Sequence, residues 1–331
     1  MPAPSVAPRI ATGLLAAGAI ALVGCGGSDD DGIASQSAPE AADFPAANGR
    51  SLQQILSEAD AEGPVISPAA QVFHKGENRF PFGVFTTGRE EIDDAQIALY
   101  AAPGKSGEAK GPYPARVESL EVDPAYESKT TADDPDAAHV VYVSKLGLDA
   151  DGEWRIGALV RDGDSLQASV VPSVVVGKST GIPEPGDKAP SVHTPTAQDV
   201  GGDLSKIDTR EPPDSMHDKD LADVLGKQPV VLLFATPALC QSRVCGPVVD
   251  VAEQVKAEHG DEVAFIHQEI YEDNMFDKGL REQVKAYGLP TEPWLFVIDE
   301  NGRIQTSLEG AFGPDELEQA VDQVTVDQVT G

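Results

Sequence analysis

Alternation of apolar and polar residues predicts a run of short β-strands between residues 64 and 176. Six segments carry this pattern, each rich in β-branched or aromatic residues: FPFGVFTT (80–87), AQIALYAA (95–102), PARVESLEV (114–122), HVVYVSKL (139–146), EWRIGALVR (153–161) and SLQASVVPSVVV (165–176). Asp162-Gly163 separates the last two and predicts a hairpin. Because no helical period interrupts this stretch, roughly seven strands in about 110 residues predict an antiparallel β-sandwich, Ig-like in a general way. We expect Trp154 to anchor its core.

The pattern changes after residue 190, where strands alternate with helices. PVVLLF (229–234) is a continuous apolar run, as expected of a buried strand, and the helical period of residues 246–259 ends at Gly260. Further predicted elements are a strand (262–270), a helix (277–288), a hairpin around Asn301-Gly302 (293–310) and a closing helix (313–324). The predicted order of elements is therefore β-α-β-α-β-β-α.

The N-terminal residues indicate export and a lipid anchor. Arg9 precedes a run of uncharged, mostly apolar residues from 10 to 23, which is shorter than the roughly 20 residues that span a bilayer. Leu22-Val23-Gly24-Cys25 follows at once and resembles the lipobox of bacterial lipoproteins. That resemblance implies cleavage before Cys25, lipid on Cys25 and a position on the extracytoplasmic face of the cell membrane. The alternative is ordinary secretion with an unmodified Cys25.

Composition divides the chain into five predicted parts. Residues 1–24 are a signal peptide, and residues 25–63 are a polar, flexible tether with a short helix in 51–63 that Ser51 caps. The β-sandwich spans 64–176, a Pro- and Gly-rich linker spans 177–190, and an α/β domain spans 191–331. The net charge of −31 disfavours nucleic acid as a partner, because phosphates would be repelled.

Two cysteines remain when Cys25 is set aside, and they are the candidates for chemistry. Cys240 and Cys245 are separated by four residues, and disulfides persist outside the cytoplasm, so a bond between them is favoured. Cys245 opens a predicted helix, whose free N–H groups should stabilise a thiolate and lower its pKa. A bond across so short a loop would stabilise the fold by only about 2 kcal/mol, which favours a redox role over a structural one.

The C-terminal part resembles the thioredoxin family over about residues 186–325. The order of elements agrees, and Cys245-Gly246-Pro247-Val248 is similar to the family's C-G-P-C motif with Val248 in place of the second cysteine. LPTEPWLFVID (289–299) resembles the segment with the family's cis-proline, which implies that Pro293 is cis and helps to seat a partner chain. The resemblance implies thiol–disulfide exchange with extracytoplasmic thiol or disulfide proteins. Cys245 would attack and Cys240 would resolve, with the reverse order as the other choice.

One departure from the family concerns the acidic residue beneath the cysteines. The strand 230–234 has none, whereas Glu292 precedes Pro293 and could relay a proton, raise the thiol pKa by repulsion, or simply face solvent. We expect no cofactor and no metal, because no histidine lies within four residues of a cysteine and none follows His267. The competing function is a binding scaffold in which the Cys240–Cys245 bond is structural.

Overall fold

The computed structural model of the chain describes residues 1–2, 33–177 and 181–325. The described residues from Ile33 onward belong to one compact unit. Cys25 and the signal segment lie outside the described residues, so lipidation stays a prediction. Within the described ranges, no helix has both the length and the apolar character needed to cross a bilayer.

Two sheets and a set of mostly short helices make up this unit. The strands are β1 Ala61–Glu62, β2 Val65–Pro68, β3 Gly76–Phe85, β4 Gln96–Pro103, β5 Lys110–Ser119, β6 Val140–Leu148, β7 Gly152–Asp162, β8 Ser165–Val176, β9 Val230–Phe234, β10 Ala264–Gln268, β11 Trp294–Ile298 and β12 Ile304–Glu309. The α-helices are α1 Leu52–Leu56, α2 Lys129–Ala132, α3 Leu221–Val224, α4 Cys245–His259, α5 Glu282–Tyr287 and α6 Pro314–Thr325. Single 3-10 turns lie at Ala41–Asp43, Leu204–Lys206, Glu272–Asn274 and Phe276–Lys278.

The N-terminal sheet has eight strands in the order β1-β8-β7-β4-β5-β6-β3-β2. All six predicted strand segments fall on β3 to β8, and their pairings are antiparallel, whereas β1 pairs with β8 in parallel. The first part of β5 pairs with β4 and its last part with β6, so the two halves of the sheet enclose one apolar core. Trp154 is fully buried there, as predicted, and its indole N–H donates to the carbonyl of Ala150 at 2.9 Å. The Ig-like arrangement stays a prediction.

Residues 33–63, predicted as a tether, pack against this sheet. Ser51 caps α1 with a capping box shared with Gln54, so the predicted cap is confirmed. Leu52, Ile55 and Phe44 are buried in a second apolar cluster on the sheet. The difference from the sequence-based expectation arises because this segment, though polar on average, carries enough large apolar residues to cover one sheet face.

The C-terminal sheet has the order β10-β9-β11-β12. β9 is central: it pairs in parallel with β10 and antiparallel with β11, and β11 and β12 form the predicted hairpin around Asn301-Gly302. Helices α4 and α6 pack against one face of this sheet, and α5 contributes to the apolar cluster on the other. The predicted order β-α-β-α-β-β-α is therefore confirmed in β9-α4-β10-α5-β11-β12-α6.

The two sheets share a core as well as polar contacts. Leu120, Val141 and Val143 of the N-terminal part belong to the same apolar cluster as α4 and α6. Near α6, Arg79 and Arg116 both bind Glu316, at 2.6 and 2.8 Å. Burial alone would raise the pKa of Glu316, but these guanidinium groups outweigh it and lower the pKa. The two parts are thus packed together, and their division into independent domains stays a prediction.

Candidate functional site

The candidate site is the segment between β9 and α4, residues 235–244, which we call the cysteine loop. The buried strand β9 leads into it, and α4 begins at Cys245. Arg243 has a positive φ of 61°, and the loop turns at residues 237–239 and 241–242, so the chain folds back toward the helix start. Cys240 thereby lies next to Cys245, and both thiols are free in this structure.

Of the two cysteines, Cys240 is the one whose surroundings stabilise a thiolate. Its sulfur interacts with the Cys245 thiol and with the backbone N–H groups of Val244 and Cys245, and it lies 3.2 Å from Ser242 Oγ. The hydrogen bond from the Cys245 thiol has the largest effect and, against the opposing effect of burial, the contacts lower the pKa of Cys240 to about 6. A cysteine with such a pKa is largely a thiolate at neutral pH.

Cys245 is buried more deeply than Cys240, which is 7 % exposed and belongs to the same apolar cluster, and this corrects the sequence-based expectation. Its side chain is 0 % exposed and packs in the apolar cluster under α4. Burial raises the pKa of Cys245 well above its ordinary value, and the neighbouring Cys240 adds to the increase. The expectation of a lowered pKa at Cys245 is wrong because its sulfur is completely buried and lies against Cys240, and these two effects outweigh any stabilisation of a thiolate by the helix start.

Glu292 and Pro293 lie on the segment that faces the two cysteines. The Glu292–Pro293 peptide bond is cis, as predicted, and the Pro293 carbonyl accepts a hydrogen bond from the N–H of Gly310 at 2.9 Å. Glu292 is half-buried, and burial followed by the charge of Cys240 raises its pKa. The Tyr271 hydroxyl donates to Glu292 Oε1 at 3.3 Å. The structure thus brings Glu292 close to the cysteines and leaves it only partly accessible to solvent.

Tyr271 also belongs to this site, although no motif or spacing in the sequence singled it out. Burial and Glu292 raise the pKa of Tyr271 to about 12, so its hydroxyl stays a hydrogen-bond donor. Its ring packs against Phe276 with 5.1 Å between centroids. Phe276 and Met275 are exposed, with 62 % and 46 % of their surfaces accessible. The site therefore has an apolar rim on its solvent side.

The connection between β5 and β6 braces the cysteine loop from the N-terminal part. Arg243 forms an ion pair with Asp134 at 2.8 Å, and its carbonyl accepts from the N–H of Ala138. A side chain at Gly246 would meet Thr131 Oγ1 at 2.8 Å, so glycine allows the close approach of α2 to the start of α4. The positions of Cys240 in the loop and of Cys245 in α4 thus depend on residues more than 100 positions upstream.

A second polar group lies near the cysteine loop and was missed in the sequence. Asp208, Asp214, His217 and His267 are buried together, and we call them the carboxylate–histidine cluster. His267 is on β10, and the other three come from the loop before α3. The signal that could have found them is the dense D-x5-D-x2-H spacing of residues 208–217, which has no apolar period to explain its burial.

Comparisons with known proteins give only distant matches. No family model matches the chain, and no curated protein does. Two solved structures from Chlorobium tepidum are similar to it, one described as a thiol:disulfide interchange protein DsbE and the other as a thiol:disulfide interchange protein of the thioredoxin family. Each is 18 % identical and covers 43 % of this chain, with 99 % and 97 % of its own length and TM-scores of 0.31 and 0.30. The Lin-41 filamin domain matches at 7 % identity over 37 % of this chain and 99 % of its own, with a TM-score of 0.20.

The fold of the C-terminal part follows from its own topology. A central strand pairs in parallel with the strand that follows α4 and antiparallel with the β11–β12 hairpin, and α4 and α6 share one face. This is a thioredoxin-like arrangement, with a cysteine pair at the start of its first long helix. The C-terminal part of the described residues therefore has a thioredoxin-like topology.

Proposed function

We propose that this chain carries out thiol–disulfide exchange with partner proteins, with Cys240 as the attacking thiol and Cys245 as the resolving thiol. The observation that supports this best is the position of Cys240 beside the Cys245 thiol and 3.2 Å from Ser242 Oγ at the start of α4, where these contacts lower its pKa, while the second thiol is completely buried. Attack requires a thiolate, and resolution requires a second sulfur within reach that is protected from outside partners. The two sulfurs meet these different requirements.

The reaction in the reducing direction has two steps. The Cys240 thiolate attacks one sulfur of a partner disulfide, a mixed disulfide forms, and the partner's other sulfur leaves as a thiolate that takes a proton from solvent. Cys245 then loses its proton and attacks the sulfur of Cys240. The Cys240–Cys245 disulfide forms and the partner's second thiol is released, so two electrons have passed to the partner. The same steps in reverse would oxidise a partner dithiol.

Glu292 would take the proton from Cys245 in the second step. Its charge acts on both cysteines, and its raised pKa brings its proton affinity closer to that of a thiol than an exposed glutamate would have. Tyr271 would hold the carboxylate in place through its hydrogen bond. Pro293 would present its segment to the partner, as the resemblance to thioredoxins implies, and the exposed Phe276 would add apolar contact.

Trapping of partners tests the order of the two sulfurs. Cys245→Ser retains the attacking thiol but cannot resolve, so it should accumulate mixed disulfides visible as high-mass species on non-reducing gels. Cys240→Ser is the matched control and should accumulate none. Accumulation with Cys240→Ser alone would reverse the assignment, and accumulation with neither variant would contradict exchange.

The membrane anchor is a separate part of the proposal. A lipid on Cys25 would hold the described unit at the extracytoplasmic face of the cell membrane, joined by the residues before Ile33. Cys25→Ser should then move the protein from the membrane fraction to the soluble fraction. Continued membrane association of the variant would contradict lipid anchoring at this residue.

A second candidate function is a binding scaffold with a structural disulfide. The observation that favours it is the complete burial of Cys245 in the core shared by both sheets. The reduction potential distinguishes the two functions: a value below about −300 mV indicates a structural bond, and a higher value indicates an exchangeable pair.

A further inference from the structure

The carboxylate–histidine cluster has the composition and spacing of a metal site. Asp208, Asp214, His217 and His267 each offer one ligand atom, and these atoms all lie within 4.8 Å of one another. We propose that the cluster binds one divalent transition-metal ion, for which Zn²⁺ is the first choice. Two imidazoles and two carboxylates form a nitrogen and oxygen donor set that suits Zn²⁺.

The facing atoms lie at separations near those around one small ion, and the two histidines face different oxygens of each carboxylate. His217 Nε2 lies 3.3 Å from Asp208 Oδ2 and 3.4 Å from Asp214 Oδ1. A tetrahedron with bonds of 2.0–2.1 Å has edges of about 3.3 Å. His267 Nδ1 lies 3.9 Å from Asp208 Oδ1 and 2.6 Å from Asp214 Oδ2, the latter a direct hydrogen bond. Binding would therefore replace the proton between His267 and Asp214, and one oxygen of each carboxylate would have to turn toward both imidazoles, since the four ligand atoms now lie within 4.8 Å of one another.

Backbone groups already hold polar atoms of three of the four ligands, whereas His217 Nδ1 is buried without a hydrogen-bond partner among the described residues. The His267 ring also contacts the carbonyl of Ala235 through Nε2 at 3.2 Å, which suits an N–H donor there and leaves Nδ1 for the ion. Asp208 accepts from the N–H groups of Arg210 and Asp214, both at 2.7 Å. Asp214 accepts from the N–H of Met216 at 2.8 Å. Such outer contacts orient metal ligands before the ion arrives.

Charge within the buried region also points to a cation. Both carboxylates of the cluster have completely inaccessible side chains, and buried charges require compensation. Arg210 is the nearest guanidinium in the sequence, but it is committed to Asp250 at 2.7 Å and to the carbonyls of Pro212 and Tyr126. Within the described residues, the other contacts of the two carboxylates are to neutral N–H groups and to the two imidazoles. Burial would lower the pKa of His267, but Asp214 outweighs it and raises the pKa to about 10, so in the ion-free protein this ring compensates one of the two carboxylates. One divalent ion with two neutral histidines would balance them.

The ion would fix the loop before α3 to the sheet beside the cysteines. The Ala235–Thr236 peptide links the two sites, because its carbonyl faces His267 and its N–H acts on the Cys245 sulfur. Thr209, next to Asp208, accepts a hydrogen bond from the N–H of Ala238 in the cysteine loop at 3.0 Å. The ion is thus a structural one near the cysteines, and the proposal stands whether or not the chain exchanges disulfides.

Calorimetric titration with ZnCl₂ tests the site directly. The full chain is stripped with EDTA, and all three cysteines, Cys25, Cys240 and Cys245, are replaced by serine so that thiolates cannot bind the ion. We expect one Zn²⁺ per chain with a submicromolar dissociation constant, and we expect bound Co²⁺ to show ligand-field bands without thiolate charge-transfer absorption. Failure of this protein to bind Zn²⁺ tighter than about 10 μM would overturn the proposal, because a preformed site with four ligands binds far more tightly.

Variants assign the binding to the cluster. His217→Ala should weaken Zn²⁺ binding at least about 100-fold and abolish the rise in melting temperature on adding Zn²⁺. His193→Ala is the matched control, since His193 also contacts an aspartate, Asp220 at 2.7 Å, but is exposed. It should bind Zn²⁺ as the parent does. Unchanged binding by His217→Ala, or loss confined to His193→Ala, would overturn the assignment. If His217→Ala is misfolded by far-UV circular dichroism, the isosteric Asp208→Asn takes its place with the same expectation.

Discussion

The cysteine loop and the carboxylate–histidine cluster lie on either side of one peptide bond, yet they handle charge in opposite ways. The cysteine loop places one sulfur on backbone N–H groups at a helix start, with an apolar rim facing solvent. The cluster encloses two carboxylates and two imidazoles where solvent has no access. The difference supports the proposals that the first site exchanges disulfides with an outside partner and that the second retains a cation.

The largest expected effect is on the reaction with a disulfide, which should depend on the cysteine loop and not on the carboxylate–histidine cluster. Cys240→Ser should abolish the fast reaction of the reduced protein with a small aromatic disulfide, because a hydroxyl does not replace a thiolate as nucleophile. His217→Ala should retain the fast phase within several-fold, since its side chain makes no contact with either sulfur. Stopped-flow absorbance of the released aromatic thiol measures both. If Cys240→Ser kept the fast phase, the reaction with the disulfide would not distinguish the cysteine loop from the carboxylate–histidine cluster.

The next largest expected effect is on the free energy of unfolding, which should depend on the buried carboxylate–histidine cluster. In EDTA-treated protein, Asp214→Asn leaves the His267 ring without its buried carboxylate partner and should cost about 3–5 kcal/mol in the free energy of unfolding. The matched control is Asp199→Asn at the exposed His193, where little change is expected. Urea titration followed by fluorescence gives both values. Equal losses in the two variants would show that burial of the cluster has no energetic consequence.

Much of the fold could be predicted from local patterns, but the environments of these two sites could not. Strand segments, the Ser51 cap, the Asn301-Gly302 hairpin and the cis bond at Pro293 follow from periodicity and short motifs. The sulfur at the helix start could not be predicted, since the loop is bent back by Arg243 and braced by Asp134, 109 residues away. The cluster was missed for the same reason, because His267 lies 53 residues from Asp214. Packing between distant segments decides both.

A smaller effect tests the proton transfer at the cysteine loop. Glu292→Gln removes the proton acceptor, so resolution of a mixed disulfide by Cys245 should slow by about 10- to 100-fold. The first attack by Cys240 should be as fast or slightly faster, because a negative charge near its thiolate has been removed. Glu300→Gln, on the exposed turn after β11, is the control and should leave both steps unchanged. Rapid-quench measurement of the two steps separates them. Equal slowing of both would assign Glu292 to partner binding instead of proton transfer.

The smallest effect concerns a single hydrogen bond to the attacking sulfur. Alkylation of a cysteine follows its thiolate fraction, which rises with pH through the pKa, so the rate for Cys240 should reach half its maximum near pH 6. Ser242 lies 3.2 Å from this sulfur and stabilises its charge. Ser242→Ala should therefore move the midpoint upward by about one pH unit or less, slowing alkylation near pH 6 and leaving the plateau above pH 8 almost unchanged.

Iodoacetamide labelling followed by peptide mass analysis measures the alkylation of Cys240 alone, with Ser205→Ala as a remote control. An unmoved midpoint would mean that the N–H groups of α4 and the Cys245 thiol hold the thiolate without help from the Ser242 hydroxyl.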